Sequence, residues 1–598
     1  MINLENLLRI PYVDVERGYD ISPDGKHLAF SWNVGGHWDI YELSLDYPSK
    51  IQKISDGDGA NFSPDYAPDG NSIAYVTDKV GNEAFDIHIY DRSCNRSTNL
   101  TPNTIESIQP ALSWSPNGKQ IAFISNRSGN FSTYIMPILG GTALPIFSRS
   151  QPDMDVAWSP DGQKIAISSE SSAQDKQTTI VTVDGFACFP LTWNQQVLNT
   201  RDACWSPDGK RLAFSSDQAG RFNIAIYEID SGQISWVTCG AGDKYQPDWS
   251  PDGSCLVFVH SQDAEAWLEI CTLDDGYITR FQAIQGVHHH PRFLPGGNGI
   301  ITIVENPACP PDLWLLSLFE GSFHQLTYSL PTTFDASNLI LPSHIWYSGM
   351  DGRQVPSLLF HPKKLTDLCP AVIVIHGGPD WAFQSIWYPL MAHMASRGWV
   401  ILAPNYRGST GYGREWQLAN RYDLGGIDMQ DIVAGAQYLV QAKLADPKHI
   451  AITGRSHGGY LTMTCLTRFP QLWACGSAVV PFINWFTSHE ASREDLKHWD
   501  IENMGDPKDN YARWYDRSPF FFLEHIQAPV QLICGANDTR CPASESIAAQ
   551  SKLKSLGKQV EFILYPDEGH EFLKIENIVD QELRRITFLS SILEQSQR

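Results

Sequence analysis

Residues Gly454-Arg455-Ser456-His457-Gly458-Gly459 follow the apolar run His449-Ile450-Ala451-Ile452-Thr453 and precede Tyr460-Leu461-Thr462-Met463. The pattern predicts a strand, a tight turn and a helix, with a serine at the apex and glycines on both flanks. A sharp strand-to-helix turn strains the serine backbone and leaves room beside it only for side chains as small as glycine. The helix that follows points its first N–H groups at whatever the serine attacks. A bare Gly-x-Ser-x-Gly also arises by chance, so its weight here comes from context.

The context lies downstream, in the chain order Ser, Asp, His. Pro529-Val530-Gln531-Leu532-Ile533-Cys534-Gly535 reads as a buried strand followed by Ala536-Asn537-Asp538. Val560-Glu561-Phe562-Ile563-Leu564-Tyr565 reads as another, followed by Pro566-Asp567-Glu568-Gly569-His570. Chemistry in an open parallel sheet gathers at these carboxyl strand ends. His570 is expected to take the proton of Ser456, and Asp538 to hold the imidazole in the right tautomer. Taken singly, Asp538 reads as well as a turn aspartate and His570 as a neighbour of a helix cap. The three in register point to an α/β-hydrolase domain. Upstream, the apolar strand Ala371-Val372-Ile373-Val374-Ile375 runs into His376-Gly377-Gly378-Pro379. Lipases and esterases use such a turn to bring a backbone N–H beside the nucleophile. The expected oxyanion hole is the N–H of Gly378 with the N–H of His457. A phosphate loop is the competing reading of the glycine pair, but no Lys-Ser or Lys-Thr follows it.

The first half of the chain is periodic. Ile21-Ser22-Pro23-Asp24-Gly25 recurs around Pro68, Pro116, Pro160, Pro207 and Pro251, and in degenerate form as Phe293-Leu294-Pro295-Gly296-Gly297. Intervals of 44 to 48 residues match one four-stranded propeller blade per repeat. Pro-Asp-Gly is turn chemistry, and an alternating strand such as Lys210-Arg211-Leu212-Ala213-Phe214-Ser215 follows each turn. The aromatic before each turn, such as Trp205, is expected to fill the space between blades. Seven units predict a closed seven-bladed all-β propeller, with an open β-solenoid as the alternative. The period stops near Tyr328 to Ser337, which places the propeller in residues 1–330 and the doubly wound, mostly parallel α/β-hydrolase sheet in 331–598.

A length of 598 residues is enough for several domains, and 42% hydrophobic with 19% charged residues is ordinary for a globular protein. A net charge of −23 argues against nucleic acid as a partner. No apolar stretch reaches the roughly 18 residues needed to span a bilayer, and the N-terminus shows no secretory signal pattern. The twelve cysteines include no Cys-x-x-Cys pair, as expected of reduced thiols in a cytoplasmic protein with no zinc site. His288-His289-His290 cannot all face one metal from a strand, because side chains alternate. No metal and no cofactor is expected. The sequence leaves assembly into a homo-oligomer open.

A seven-bladed propeller ahead of an α/β-hydrolase resembles the prolyl oligopeptidase family of serine peptidases across essentially the whole chain, and most of all its acylaminoacyl-peptidase branch. Prolyl oligopeptidases and dipeptidyl peptidases place a tyrosine at the position of His376; the His-Gly-Gly-Pro here matches the acylaminoacyl branch and implies an all-backbone oxyanion hole. Asn405-Tyr406-Arg407-Gly408-Ser409-Thr410-Gly411-Tyr412-Gly413 matches that branch as well. Arg540 stands where family members keep an arginine that binds a substrate carbonyl; a surface arginine is the other reading. Phe482, Trp485 and Phe486 follow a strand at the site's edge and read either as an apolar S1 pocket or as core. The glutamate pair that anchors a free amino terminus in dipeptidyl peptidases is not found. The resemblance implies a serine peptidase acting on short peptides through an acyl-enzyme and removing N-terminal, acylated residues. Oligopeptidase or dipeptidyl-peptidase action, and a carboxylesterase using the same triad, remain as alternatives. A binding protein with a dead hydrolase domain is opposed by the intact Ser456, Asp538, His570 and Gly378 set.

Overall fold

The computed structural model describes residues 2–594 apart from Arg17, 103–105, Phe186 and 363–367. The chain divides into two compact units. One holds Pro11–Lys79 with Glu83–Pro331; the other holds Thr332–Arg598 with Met1–Ile10 and Val80–Asn82. The long segments of the two units meet between Pro331 and Thr332. The first ten residues, however, belong to the second unit and not to the repeats.

In the first unit, seven four-stranded antiparallel sheets succeed one another, each built from four consecutive strands. They run from the sheet that opens with Tyr19–Ile21 to the one that closes with Ser322–Gln325. The Ser-Pro-Asp-Gly turn explains why the repeat is visible. In the fifth sheet Ser206 Oγ donates to Asp208 at 2.6 Å and accepts the Arg211 N–H at 2.9 Å. The Gly209 N–H bonds the Ser206 carbonyl at 2.8 Å, with Gly209 at φ 67°. The same serine–aspartate clasp recurs at Ser22, Ser159 and Ser250. The tryptophans do join neighbouring blades. Trp114, Trp205 and Trp249 donate their indole N–H to the carbonyls of Asp65, Ala157 and Cys204 on the preceding innermost strand. The first and seventh sheets share one apolar core that includes Tyr19, Phe30, Ile301 and Leu313. Tyr19 Oη also donates to the Ile301 carbonyl at 2.9 Å. The ring therefore closes by packing and hydrogen bonds between the two sheets, with no strand exchanged. A small hairpin, Thr192–Trp193 with Gln196–Val197, is inserted after the fourth sheet.

The second unit is built on an eight-stranded sheet. Its strands are β1 (Ser343–Ser348), β2 (Gln354–Phe360), β3 (Cys369–Ile375), β4 (Val400–Pro404), β5 (Ala445–Arg455), β6 (Cys475–Val479), β7 (Val530–Gly535) and β8 (Val560–Tyr565). Their order is β1-β2-β4-β3-β5-β6-β7-β8. β1 and β2 pair antiparallel, as do β2 and β4, and every pairing from β4 onward is parallel. Helices cover both faces of a parallel sheet, so its inner strands are buried on both sides. β4 and β7 are buried at every position. The helices used below are α1 (Leu4–Leu8), α2 (Pro389–Ser396), α3 (His457–Arg468), α4 (Trp485–Ala491), α5 (Ala543–Ser555) and α6 (Ile575–Leu593). Five residues are too few for a helix to persist alone. α1 is held by burying Leu4 and Leu7 against α2 and α6, and by the fork of Arg9 on Glu576 at 2.7 and 2.8 Å.

Candidate active site

β5 runs into Ser456, which sits at φ 57°, ψ −122° and caps the N-terminus of α3. The flanking glycines are sterically required. A Cβ on Gly454 would lie 2.3 Å from the Gly458 carbonyl oxygen, and one on Gly458 would lie 2.3 Å from that of Ile375. Backbone faces backbone at both places, so neither clash can be relieved by rotating a side chain.

Asp538 lies in the loop after β7 and His570 in the loop after β8. His570 Nε2 is 3.0 Å from Ser456 Oγ, and His570 Nδ1 is 2.9 Å from Asp538 Oδ2. The other oxygen, Asp538 Oδ1, accepts the backbone N–H groups of Arg540 and Cys541, both at 2.8 Å. A carboxylate only accepts, so Nδ1 carries the imidazole proton and Nε2 is left to accept from the serine hydroxyl. Asp538 and His570 are buried. Cys541, also buried, brings its Sγ to 4.0 Å from Ser456 Oγ, and burial pushes its thiol well above the usual range.

The turn after β3 packs on the serine: a Cβ on Gly377 would be 3.4 Å from Ser456 Cβ. Gly378 takes φ 109°, a region that suits glycine. His457 opens α3, so its N–H has no carbonyl one turn back. His376 is buried, with Nδ1 2.7 Å from the Gly377 carbonyl and Nε2 2.8 Å from Ser409 Oγ. Its ring stacks on Tyr406 at 4.3 Å. Burial drives its pKa down to about 3, so the ring is neutral. Tyr406 Oη donates to the His376 carbonyl at 2.9 Å. Both Tyr406 and Ser409 lie in the stretch that the sequence marks only by resemblance; no periodicity singles them out as supports of this turn.

The three aromatics after β6 form one packed group, with Trp485 buried and Phe482 and Phe486 half-buried. Trp485 is buried in the core, donating its indole N–H to Tyr460 Oη at 3.2 Å and packing on Trp514. Phe486 joins a layer with Tyr511, Trp514 and Phe521. Phe482 stacks on Tyr460 with ring centroids 4.5 Å apart and comes within 6.1 Å of the His457 ring. Glu545 of α5 organises this segment. Its buried carboxylate accepts the N–H groups of Ile483 and Asn484 and the Thr487 hydroxyl, and burial raises its pKa. Nothing in the sequence marked Glu545. Arg540 is exposed, with its carbonyl accepting Ser492 Oγ at 3.2 Å. In the propeller, His288, His289 and His290 have three separate partners: the backbone of Ala266 and Ala283, the Glu305 carboxylate, and Gln246.

Residues 384–596 match the prolyl oligopeptidase family, and residues 95–238 and 169–338 match the TolB β-propeller domain. The chain is 33% identical over 232 residues to dipeptidyl peptidase family member 6 of Caenorhabditis elegans, covering 37% of this chain and 31% of that one. It is 26% identical over 258 residues to the human acylamino-acid-releasing enzyme, covering 42% and 35%. The chain thus spans only about a third of the length of these curated relatives. A puromycin-hydrolyzing peptidase of Mycobacterium tuberculosis superposes with a TM-score of 0.87 over 99% of this chain and 96% of its own, at 18% identity, which is a likeness of fold. The stretch that matches the prolyl oligopeptidase family, 384 to 596, contains Ser456, Asp538 and His570 and the strand ends that carry them.

Proposed function

We propose that this protein is a serine peptidase that hydrolyses short peptides through an acyl-enzyme, releasing N-terminal residues as the acylaminoacyl-peptidase resemblance implies. The observation that carries the reading is the unbroken hydrogen-bond chain from Asp538 through His570 to Ser456. In it Ser456 Oγ attacks the scissile carbonyl while His570 Nε2 takes its proton, and Asp538 stabilises the imidazolium. The N–H groups of Gly378 and His457 hold the oxyanion, a donor of this kind contributing about 3–4 kcal/mol. His570 then protonates the leaving amine, and the peptide bond breaks with the acyl group on Ser456. Water, deprotonated by the same imidazole, releases it. With the His376 ring engaged by Gly377 and Ser409, the donors left to the hole are backbone groups.

Arg540 is assigned to a substrate carbonyl and Phe482 to the S1 wall, with Trp485 and Phe486 behind it. A cytoplasmic setting is supported by buried reduced thiols such as Cys271, Cys465 and Cys475. No helix among the described residues is long and apolar enough to cross a membrane. A second reading, removal of dipeptides from a free amino terminus, is favoured by the name of the Caenorhabditis elegans relative. A panel of acyl-aminoacyl anilides, free-amino dipeptidyl anilides and simple esters separates the readings. Preference for the blocked anilides supports the first, and preference for free-amino dipeptidyl anilides the second. Turnover of esters alone would leave a carboxylesterase.

A further inference from the structure

Arg455 ends β5 one residue before the nucleophile, and its side chain reaches the loop after β8. Its Nη2 donates to the His570 carbonyl oxygen and to Glu571 Oε2, the latter at 3.0 Å. The guanidinium carbon lies 5.7 Å from the centroid of the Phe572 ring. One side chain of the serine turn therefore holds three consecutive residues of the histidine loop. The aspartate and histidine loops are joined separately, by the Asn537 N–H on the Glu568 carbonyl at 2.9 Å. The histidine loop is also pinned to the start of α6, because the Glu568 carboxylate accepts the N–H groups of Leu573 and Lys574 at 2.8 and 3.1 Å and the Asn577 side-chain amide at 2.8 Å. Among the described residues, and apart from the reacting hydrogen bond itself, Arg455 supplies a polar tie between the serine turn and the backbone that carries the imidazole.

We propose that Arg455 is a positioning residue that sets the separation and angle between Ser456 Oγ and His570 Nε2. It acts through the His570 carbonyl and touches no reacting atom. The Glu571 carboxylate is 60% exposed, so that ion pair contributes little, and the bond to the carbonyl carries the effect. Arginine suits the task because it stays charged at every working pH and offers several donors in a rigid fork.

The proposal rests on the triad reading, and its test keeps the two apart. Purified wild type, Arg455→Met, Arg455→Lys, Glu571→Gln and Ser456→Ala are compared on one peptide anilide, with thermal midpoints as the folding control. Loss of a charge-assisted bond that orients the base should lower the kcat of Arg455→Met about 10- to 100-fold and leave KM within about threefold. Arg455→Lys should fall between, and Glu571→Gln should stay within about twofold of wild type. Guanidinium ion added to Arg455→Gly should restore part of kcat, which a purely structural role would not allow. If Arg455→Met fails to fold, Arg455→Gln decides on the same readout. Wild-type kcat in the neutral variant, beside an inactive Ser456→Ala, would overturn the positioning role alone. Activity in Ser456→Ala would overturn the triad reading beneath it.

Discussion

Replacing Asp538 by asparagine should silence the enzyme without unfolding it, and the hydrogen bonds say why. Asp538 Oδ1 accepts two backbone N–H groups at 2.8 Å, and Oδ2 accepts His570 Nδ1 at 2.9 Å. An asparagine at this place has one acceptor and one donor end. Turning the NH₂ toward Arg540 and Cys541 would set donors against donors, so the amide oxygen stays there and the NH₂ faces His570. The imidazole must then accept at Nδ1 and carry its proton on Nε2. That proton points at Ser456 Oγ, and the ring can no longer act as base. The same inversion in a serine-protease triad lowers kcat about 10⁴-fold, or roughly 5 kcal/mol of transition-state stabilisation. Purified Asp538→Asn assayed on a blocked peptide anilide near neutral pH should show this loss. Its thermal midpoint should stay within a few degrees of wild type, since volume and backbone bonds are kept. A variant retaining more than about a tenth of wild-type kcat would refute the tautomer argument.

Arg540→Ala should lower kcat/KM by roughly 10- to 1,000-fold if its guanidinium binds a substrate carbonyl; unchanged kinetics on every peptide tested would reject that role. His288 in the propeller and His376 in the hydrolase unit are held neutral by burial, with pKa values of about 4 and 3. Between those values and the ordinary 6.5 the unfolded chain binds protons that the folded chain does not. Stability should therefore be fully present above about pH 6.5 and fall with acidification, by about 1.4 kcal/mol per pH unit for each histidine. His288→Gln should show a shallower fall in urea midpoint from pH 7 to 5 than wild type, and an equal slope would contradict this. If the propeller screens substrates by size, a cleavable sequence should be cut as a free peptide of up to roughly 30 residues and spared in a loop of a folded carrier. Comparable kcat/KM for the two would remove the filter.

The hydrogen-bonded Asp538, His570 and Ser456 and the repeats were legible for a common reason: both depend on turns that only a few residue types can make. Gly454 and Gly458 are dictated by backbone contacts at 2.3 Å, and each Ser-Pro-Asp-Gly by a closed set of local hydrogen bonds. What escaped was set by contacts distant in sequence. Leu4–Leu8 is too short to show which core it joins, so its place with α2 and α6 could not be read. Trp485 and Phe482 are both aromatic, and only packing left one buried and the other half-buried beside the His457 ring. Arg455 fills the variable place of Gly-x-Ser, and its partner lies 115 residues away. The supports of the turn after β3, Tyr406 and Ser409, are likewise about 30 residues from His376 and follow no period.

The central claim, that Ser456 is the nucleophile of a peptidase, is tested most directly by single-turnover and steady-state hydrolysis of an acyl-aminoacyl anilide by wild type and Ser456→Ala. Wild type should form a covalent acyl adduct that mass spectrometry places on Ser456. Ser456→Ala should fold normally and lose about six orders of magnitude in kcat, the scale seen when a triad serine is removed. A folded Ser456→Ala that keeps more than a few per cent of the peptidase activity, or an adduct found on another residue, would contradict the account.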